Sequence, residues 1–536
     1  MRGNWLTNLA GSAAGAFLLA LLLVPLATIL WRSLAPADGT GMAGFGAPFV
    51  SILRDPYYLG RVGFTLWQAL LSTILTVAVG LPTALLLARY AFRGRNALMA
   101  VFTIPFVMPT VVAGIGFLAL VGPRGVVGVD LQGTLAAVLL AHVFFNFAVV
   151  ARLVASFVEG LAPRLEQAAA TLGAGPWRAM LRVTLPLALP ATLAAAVLVF
   201  IFCFTSFGVI LILAPSAQLA TLEVEIYRLT SRLLSLDAAA VLALVQLVVV
   251  GVLSHVYTRL QARLAVSVPL GGRGVLRRPS RAAGALLIGD LVVVFALVLA
   301  PLGALVIRAL TAPSGAFPSL ANFSAMIAAP ASFGYASLGA ATLNSLKFAS
   351  LSTLLALVIG FAFAYSVARG GWRWLDQASL LPLAVSPVTL AFGYLLSYPV
   401  LVTTTWGVPL AHALIAFPFV TRSLLPALRA QPRALTAAAA SLGAGPWRTL
   451  TRVELPLLKP ALLTAAAFAF AISLGEFGAS LLLTRHENAT LPVAIYTLLG
   501  RVGPANFGAA LALAVVLMLL TTAVMLLLSR RERSEF

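Results

Sequence analysis

Apolar stretches about twenty residues long recur from one end of this 536-residue chain to the other, separated by short basic breaks. At 1.5 Å rise per residue, about 20 residues cross the roughly 30 Å hydrocarbon layer of a bilayer. Lipid offers the backbone no hydrogen bonds, so such runs must be helices that satisfy their own peptide groups. About twelve of them can be drawn, over 13–31, 62–88, 97–121, 133–155, 187–213, 238–258, 282–307, 342–368, 376–400, 404–424, 459–483 and 506–529. Only 9% of residues are charged and 61% are hydrophobic, against about 25% charge in soluble proteins. The fold class is therefore an all-α integral membrane protein in a lipid bilayer. The first run is followed by Ala35-Pro36-Ala37, which imitates a signal-peptidase site. Its apolar core is longer than that of a signal peptide, so it is expected to remain as an anchor.

The net charge of +20 would suggest nucleic acid in a soluble domain, but its placement argues otherwise. With the N-terminus inside and sides alternating, most of the 35 Lys and Arg fall in segments on one side, such as Arg89, Arg93 and Arg95, or Arg273, Arg277, Arg278 and Arg281. This is the positive-inside bias. It predicts no nucleic acid partner, cytoplasmic termini, a cytoplasmic connector near 259–281, and external segments at 33–61 and 214–237.

The chain also repeats itself. Residues 168–191, AAATLGAGPWRAMLRVTLPLALPA, recur at 438–461 as AAASLGAGPWRTLTRVELPLLKPA, an offset of 270. At that offset His142 meets His412, Arg152 meets Arg422, and Phe207-Gly208 meets Phe477-Gly478. Upstream the offset drifts to 280, where Ser72-Thr73, Gly80 and Ala88-Arg89 meet Ser352-Thr353, Gly360 and Ala368-Arg369. About six spans per half is an even number, so the halves run parallel, unlike the inverted repeats common in secondary transporters. The expected organisation is a first helix and external loop (1–60), a core half (61–260) with a cytoplasmic loop at 156–186, and a basic linker (261–281). A seventh helix with its external loop (282–341) and a second core half (342–530) with a loop at 425–456 complete it.

The repeated block is too elaborate for a turn. Gly173 and Gly443 can adopt positive φ and end a helix, and Pro176 and Pro446 suit a first helical position. Trp177-Arg178 and Trp447-Arg448 then begin a mixed apolar and basic helix, which Leu185-Pro186 and Leu455-Pro456 are expected to stop. Such a helix could lie in the headgroups. Two near-identical copies with an exposed Trp favour docking on a protein.

These blocks resemble the cytoplasmic EAA loop of bacterial ABC importer permeases, whose pattern is E-A-A, three residues, Gly, nine residues, then I-x-L-P. Gln167-Ala168-Ala169, Gly173 and Val183-Thr184-Leu185-Pro186 match the spacing once; Ala437-Ala438-Ala439, Gly443 and Val453-Glu454-Leu455-Pro456 match it again. The motif's acid is absent from both, with Glu166 one residue off register. The resemblance implies the fold of a type I importer permease in the bacterial inner membrane, and an ABC ATPase homodimer that receives one coupling helix from each loop. It also implies an external solute-binding protein. ATP and Mg would be used by that ATPase: the chain's only lysines, Lys347 and Lys459, follow leucines, so no Gly-Lys-Ser/Thr phosphate loop exists here.

Enzyme readings find little purchase. Cys203 is the only cysteine, and His142, His255, His412 and His486 stand singly, so neither a disulfide nor a paired-ligand metal site is expected, and no nucleophile motif appears. For the solute, the resemblance reaches the importers of thiamine, ferric iron, sulfate or molybdate, and polyamines, with the fused thiamine and thiamine pyrophosphate permease nearest and ferric iron second. The supporting stretches are 140–146, 202–207, and 221–227 with its counterpart 490–496. Ionisable groups in lipid usually mark a pathway or a partner helix. Glu476, where the first copy has Ser206, either attracts a cation or holds local structure; His142 and His412 either line the pathway or sit satisfied in the core. Asn146 and Tyr394 complete the pathway candidates, and Phe144, Phe145 and Trp406 are further rings on which a flat solute could stack.

Overall fold

The computed structural model describes residues 5–35, 45–102, 104–161, 163–266, 278–328 and 338–533. Pro36 and Ala37 of the small-x-small stretch and residues 267–277 of the connector lie outside them; residues 261–266 continue the Leu236–Val266 helix. Every regular element among the described residues is helical. Nine helices there are long and apolar enough to cross a membrane, or eleven if two sharply bent pairs each count as one span.

The expected run at 97–121 is not one helix but three, Arg95–Val101, Ile104–Val107 and Thr110–Val121. Pro105 and Pro109 account for this, since a proline removes a donor and pushes the residue before it out of the helical region. The counterpart at 376–400 bends by 97° between Arg373–Ala384 and Pro387–Ser397. There Ser386 is extended and its Oγ accepts from the Thr389 N–H at 3.1 Å, so the second helix starts with a side-chain cap. The runs at 187–213 and 459–483 are also interrupted, at 205–207 and 476–477, each followed by a six-residue helix, Gly208–Leu213 or Gly478–Leu483.

Each half lends its first helix to the other. Trp5–Leu34 lies against Leu338–Gly370 and Pro387–Ser397, while Arg281–Ala309 lies against Thr110–Val121. The closest approaches are glycine to proline: a Cβ on Gly393 would sit 2.8 Å from Pro25 Cβ, and one on the corresponding Gly116 would sit 3.0 Å from the Pro301 carbonyl oxygen. In lipid, where helices associate by packing, small residues permit such contact.

The segment 214–237, expected as an external loop, is largely structured. Leu222–Arg228 is a helix with Leu222 through Tyr227 all buried, continued by a π-helical turn over Leu229–Leu233. Thr65 Oγ1 accepts from the Leu222 N–H at 3.0 Å, and Arg61 donates to the carbonyls of Ala217 and Gln218. With its free backbone groups met by the Pro56–Arg89 helix, a non-spanning segment can sit at membrane depth. At its C-terminal end Asp237 pairs with Arg32 of the first helix at 2.6 Å.

Candidate functional site

Two loops of the same shape project from the side carrying the basic residues. In each, a short helix, Pro163–Thr171 or Arg433–Ser441, reaches a glycine turn and doubles back. Ala168 and Ala169, or Ala438 and Ala439, lie in that first helix, and their carbonyls or those of their neighbours accept from the turn: Ala174 N–H to Ala169 and Ala444 N–H to Ala439, both at 3.0 Å. Gly173 and Gly443 have φ of +80° and +78° with nothing within 4 Å of an added Cβ, so backbone conformation rather than crowding requires glycine. Pro176 and Pro446 then open the returning helix, with Trp177 63% and Trp447 60% exposed beside exposed Arg178 and Arg448. The side chains of Gln167 and Pro176 lie outside the described atoms.

Leu185-Pro186 does not stop the helix. Met180–Thr184 is π-helical, the Leu185 N–H reaching back to the Met180 carbonyl, and the chain runs on as Leu185–Phe204. The wider turn lets a helix accommodate the donor that Pro186 lacks. The second copy repeats the π-helical turn over Leu450–Glu454 but breaks after Leu455-Pro456, at Leu458, with a 74° bend into Lys459–Gly475. Sequence reasoning overlooked Leu172 and Leu442, both 88% exposed at the loop tips; their signal was a leucine directly before each turn glycine, where the preceding helix must end.

The pathway candidates divide. Glu476 is engaged locally: its two carboxylate oxygens accept from the Ala479 and Ser480 N–H groups, each at 3.0 Å, and His412 Nε2 lies 3.1 Å away. A carboxylate capping a helix N-terminus this way meets otherwise unpaired donors. His412 also contacts Ser473 Oγ through Nδ1 at 2.8 Å and Ser480 Oγ through Nε2 at 3.0 Å. In the first half His142 Nδ1 pairs with Ser72 Oγ at 2.8 Å, while Nε2 is buried without a partner. Asn146 donates to the His142 carbonyl and contacts Cys203 Sγ at 3.5 Å, and Ser206 sits half-buried at the helix break. Tyr394 is fully buried, with Tyr398 edge-on at 6.2 Å. Phe144 packs edge-on against Phe117 and Phe145, and Trp406 is 49% exposed.

Where the halves meet, the structure brings together four rings that the sequence reading had not grouped. Phe207 and Phe477 stack at 5.6 Å, flanked by Tyr227 on Phe207 and Tyr496 on Phe477, each at 5.5 Å. The repeat pairs Phe207 with Phe477 and Tyr227 with Tyr496, so the row is nearly symmetric across the boundary.

Two parallel halves, each with a helix–glycine–helix loop on the side carrying the basic residues and facing rings between them, suit a membrane channel driven from one side. The family described as "Binding-protein-dependent transport system inner membrane component" matches residues 80–266 and 356–534. The chain belongs to this family. It is thus the membrane-spanning permease component of an ABC-type import system, a multi-pass protein of the inner membrane. The permease is 31% identical over 478 residues to the "Thiamine transport system permease protein ThiP" of Salmonella typhimurium, covering 84% of this chain and 85% of that one. The protein of the same name from Escherichia coli is 29% identical over 525 residues, 93% of this chain and 91% of the relative. The "Molybdenum transport system permease protein ModB" of Escherichia coli is 35% identical over 180 residues, 30% of this permease and 79% of the relative.

Proposed function

We propose that this permease moves thiamine or its phosphate esters from an external solute-binding protein into the cytoplasm, driven by ATP and Mg used by a separate ATPase homodimer. The observation that carries the solute is the breadth of likeness to the thiamine permeases, which spans both halves, whereas likeness to the molybdenum permease covers 180 residues. Ferric iron stands second. The exposed loop tips, with Leu172, Trp177 and their counterparts, supply two matched docking surfaces, one per ATPase subunit. Large exposed apolar side chains on a rigid turn are the groups that anchor protein interfaces.

Uptake of labelled thiamine by cells lacking other thiamine routes tests the solute: deletion should abolish it, and retained thiamine uptake with lost iron uptake would select the second reading. Orientation is tested in a Cys203→Ser background. A cysteine at exposed Val502 should react with an impermeant thiol reagent in spheroplasts, and one at exposed Arg93 should react only after lysis; the reverse pattern overturns cytoplasmic termini.

A further inference from the structure

The boundary between the halves is crossed twice by equivalent helices, and the two crossings differ in chemistry. At one, the Leu222–Arg228 helix of the first half packs on Pro387–Ser397 of the second. Glu223 there is fully buried and accepts from Gln246 Nε2, with Ser386 of the second half as a neighbour across the boundary. Glu223 Oε2, Gln246 Oε1 and Thr389 Oγ1, one helical turn from Ser386, are buried without hydrogen-bond partners. At the other crossing, Leu491–Leu499 packs on Thr110–Val121. The repeat that pairs 221–227 with 490–496 places Pro492 and Val515 at the positions of Glu223 and Gln246, and the matching helix starts at Pro109 and Ser386 place Val112 at that of Thr389.

A buried carboxyl group beside an unpaired amide oxygen and an unpaired hydroxyl is costly in lipid, and a ligand that donates hydrogen bonds or carries positive charge would satisfy the carboxylate and the amide oxygen. No counter-cation from the protein supplies this among the described residues: the nearby Arg228 is committed to Glu225 at 3.0 Å. Tyr227 lies one turn beyond Glu223 on the same helix face and begins the aromatic row through Phe207, Phe477 and Tyr496. Carboxylate and ring faces together suit a flat cation, which gains from both.

We propose that Glu223, with Gln246 and Ser386, forms the subsite that receives the cationic ring of the solute as it passes between the halves, with the Tyr227–Phe207–Phe477–Tyr496 row as its aromatic wall. The inference rests on the thiamine reading and assigns recognition to the first half, leaving Glu476 as the cap of its helix. The site is one-sided: a solute meeting it is oriented, because of the two crossings only this one places a carboxyl and an amide side chain at these repeat positions.

The test is equilibrium dialysis of labelled thiamine, and of an analogue with a neutral thiophene in place of the thiazolium, against the permease–ATPase complex held on ATP by a hydrolysis-deficient ATPase. The intact complex should prefer thiamine. Glu223→Gln, which keeps the shape and removes the charge, should weaken thiamine binding about tenfold or more and leave the analogue unchanged; Glu223→Asp should restore the preference. Should Glu223→Gln not copurify with the ATPase, Gln246→Met is read in the same assay, with the same selective loss expected. Equal effects on both ligands, or none, overturn the site while thiamine uptake stands. An intact complex that neither binds thiamine nor transports it in vesicles with its binding protein overturns the transport reading and the site with it.

Discussion

The two halves share a fold but not a chemistry, and the differences fall at buried polar positions near the boundary and the helix breaks. In the second half Glu476 closes a dense local network with His412, Ser473 and Ser480. In the first half the carboxylate is replaced by Ser206, and His142 keeps an open Nε2. The reverse holds across the boundary, where Glu223 and Gln246 of the first half face the second, and Pro492 and Val515 are the counterparts. A duplicated chain is free to let one copy hold structure while the other meets the solute, because a fused pair need not be self-complementary as a homodimer must.

The loops are the part in which the halves agree, and the largest expected effect comes from breaking both. Valine at φ near +80° is strained by roughly 1–2 kcal/mol or more, and the turn will relieve that strain by re-aiming the docking helix. Gly173→Val and Gly443→Val should each lower substrate-stimulated ATP hydrolysis in the reconstituted complex, and together should reduce it to the unstimulated rate. Both glycines lie in exposed turns, so membrane insertion should be intact. Asparagine tolerates this backbone region, and Gly443→Asn should retain most of the stimulation. Full stimulation in the double valine variant would show that the loops are surface helices without a coupling role.

The loops were also the most legible part of the sequence. Gly173, Pro176, Trp177 and their counterparts declare a turn and a helix start through local rules that hold regardless of neighbours. The spans were legible by length and apolarity, but their breaks were not. The run 376–400 reads as one apolar stretch, and only the cap at Ser386 and the prolines at 382 and 387 betray the 97° bend. The missing stop at Leu185-Pro186 has the same origin: a π-helical turn, invisible to pattern, absorbs the proline. The boundary site was least legible, since the buried helix of Glu223 lies in a segment whose charges read as an external loop, and its depth is set by contacts with Thr65 and Arg61 far away in sequence.

A second, smaller effect sharpens the contrast of the two histidines. His412→Ala takes the ring partner from Glu476 and the imidazole contacts from Ser473 and Ser480; a hydrogen bond to a charged group is worth about 1.5–3 kcal/mol. His142→Ala loses a single hydroxyl contact with Ser72, worth about 1 kcal/mol, beside the cavity it leaves. The thermal midpoint of the purified complex should therefore fall much further for His412→Ala. Equal falls would mean that the two histidines play the same part and that the capping network adds nothing.

The smallest expected effect concerns how each loop is braced against its own half. In the second half Arg369 Nε donates to Glu454 at 2.9 Å, Arg369 also reaches Gln431 Oε1 at 3.3 Å, and Gln431 Nε2 donates to the Glu454 carbonyl at 3.1 Å. Glu454 is 3% exposed and sits in the π-helical turn just before the bend. The first half has Thr184 in place of that carboxylate, and there Arg95 pairs with Glu159. The returning helix of the second loop is thus tied to the last turn of the Leu338–Gly370 helix by a charge-assisted bond, while the first continues unbent into Leu185–Phe204. Glu454→Thr copies the first half into the second. It should cost about 1.5–3 kcal/mol, the usual worth of a hydrogen bond to a charged group, and lower the thermal midpoint modestly. Its sharper consequence is in coupling: with the brace present, Gly443→Val and Gly173→Val should reduce stimulated hydrolysis unequally, and in the Glu454→Thr background the two should converge. Single-variant effects that stay as unequal as before would place the asymmetry of the loops elsewhere than in this ion pair.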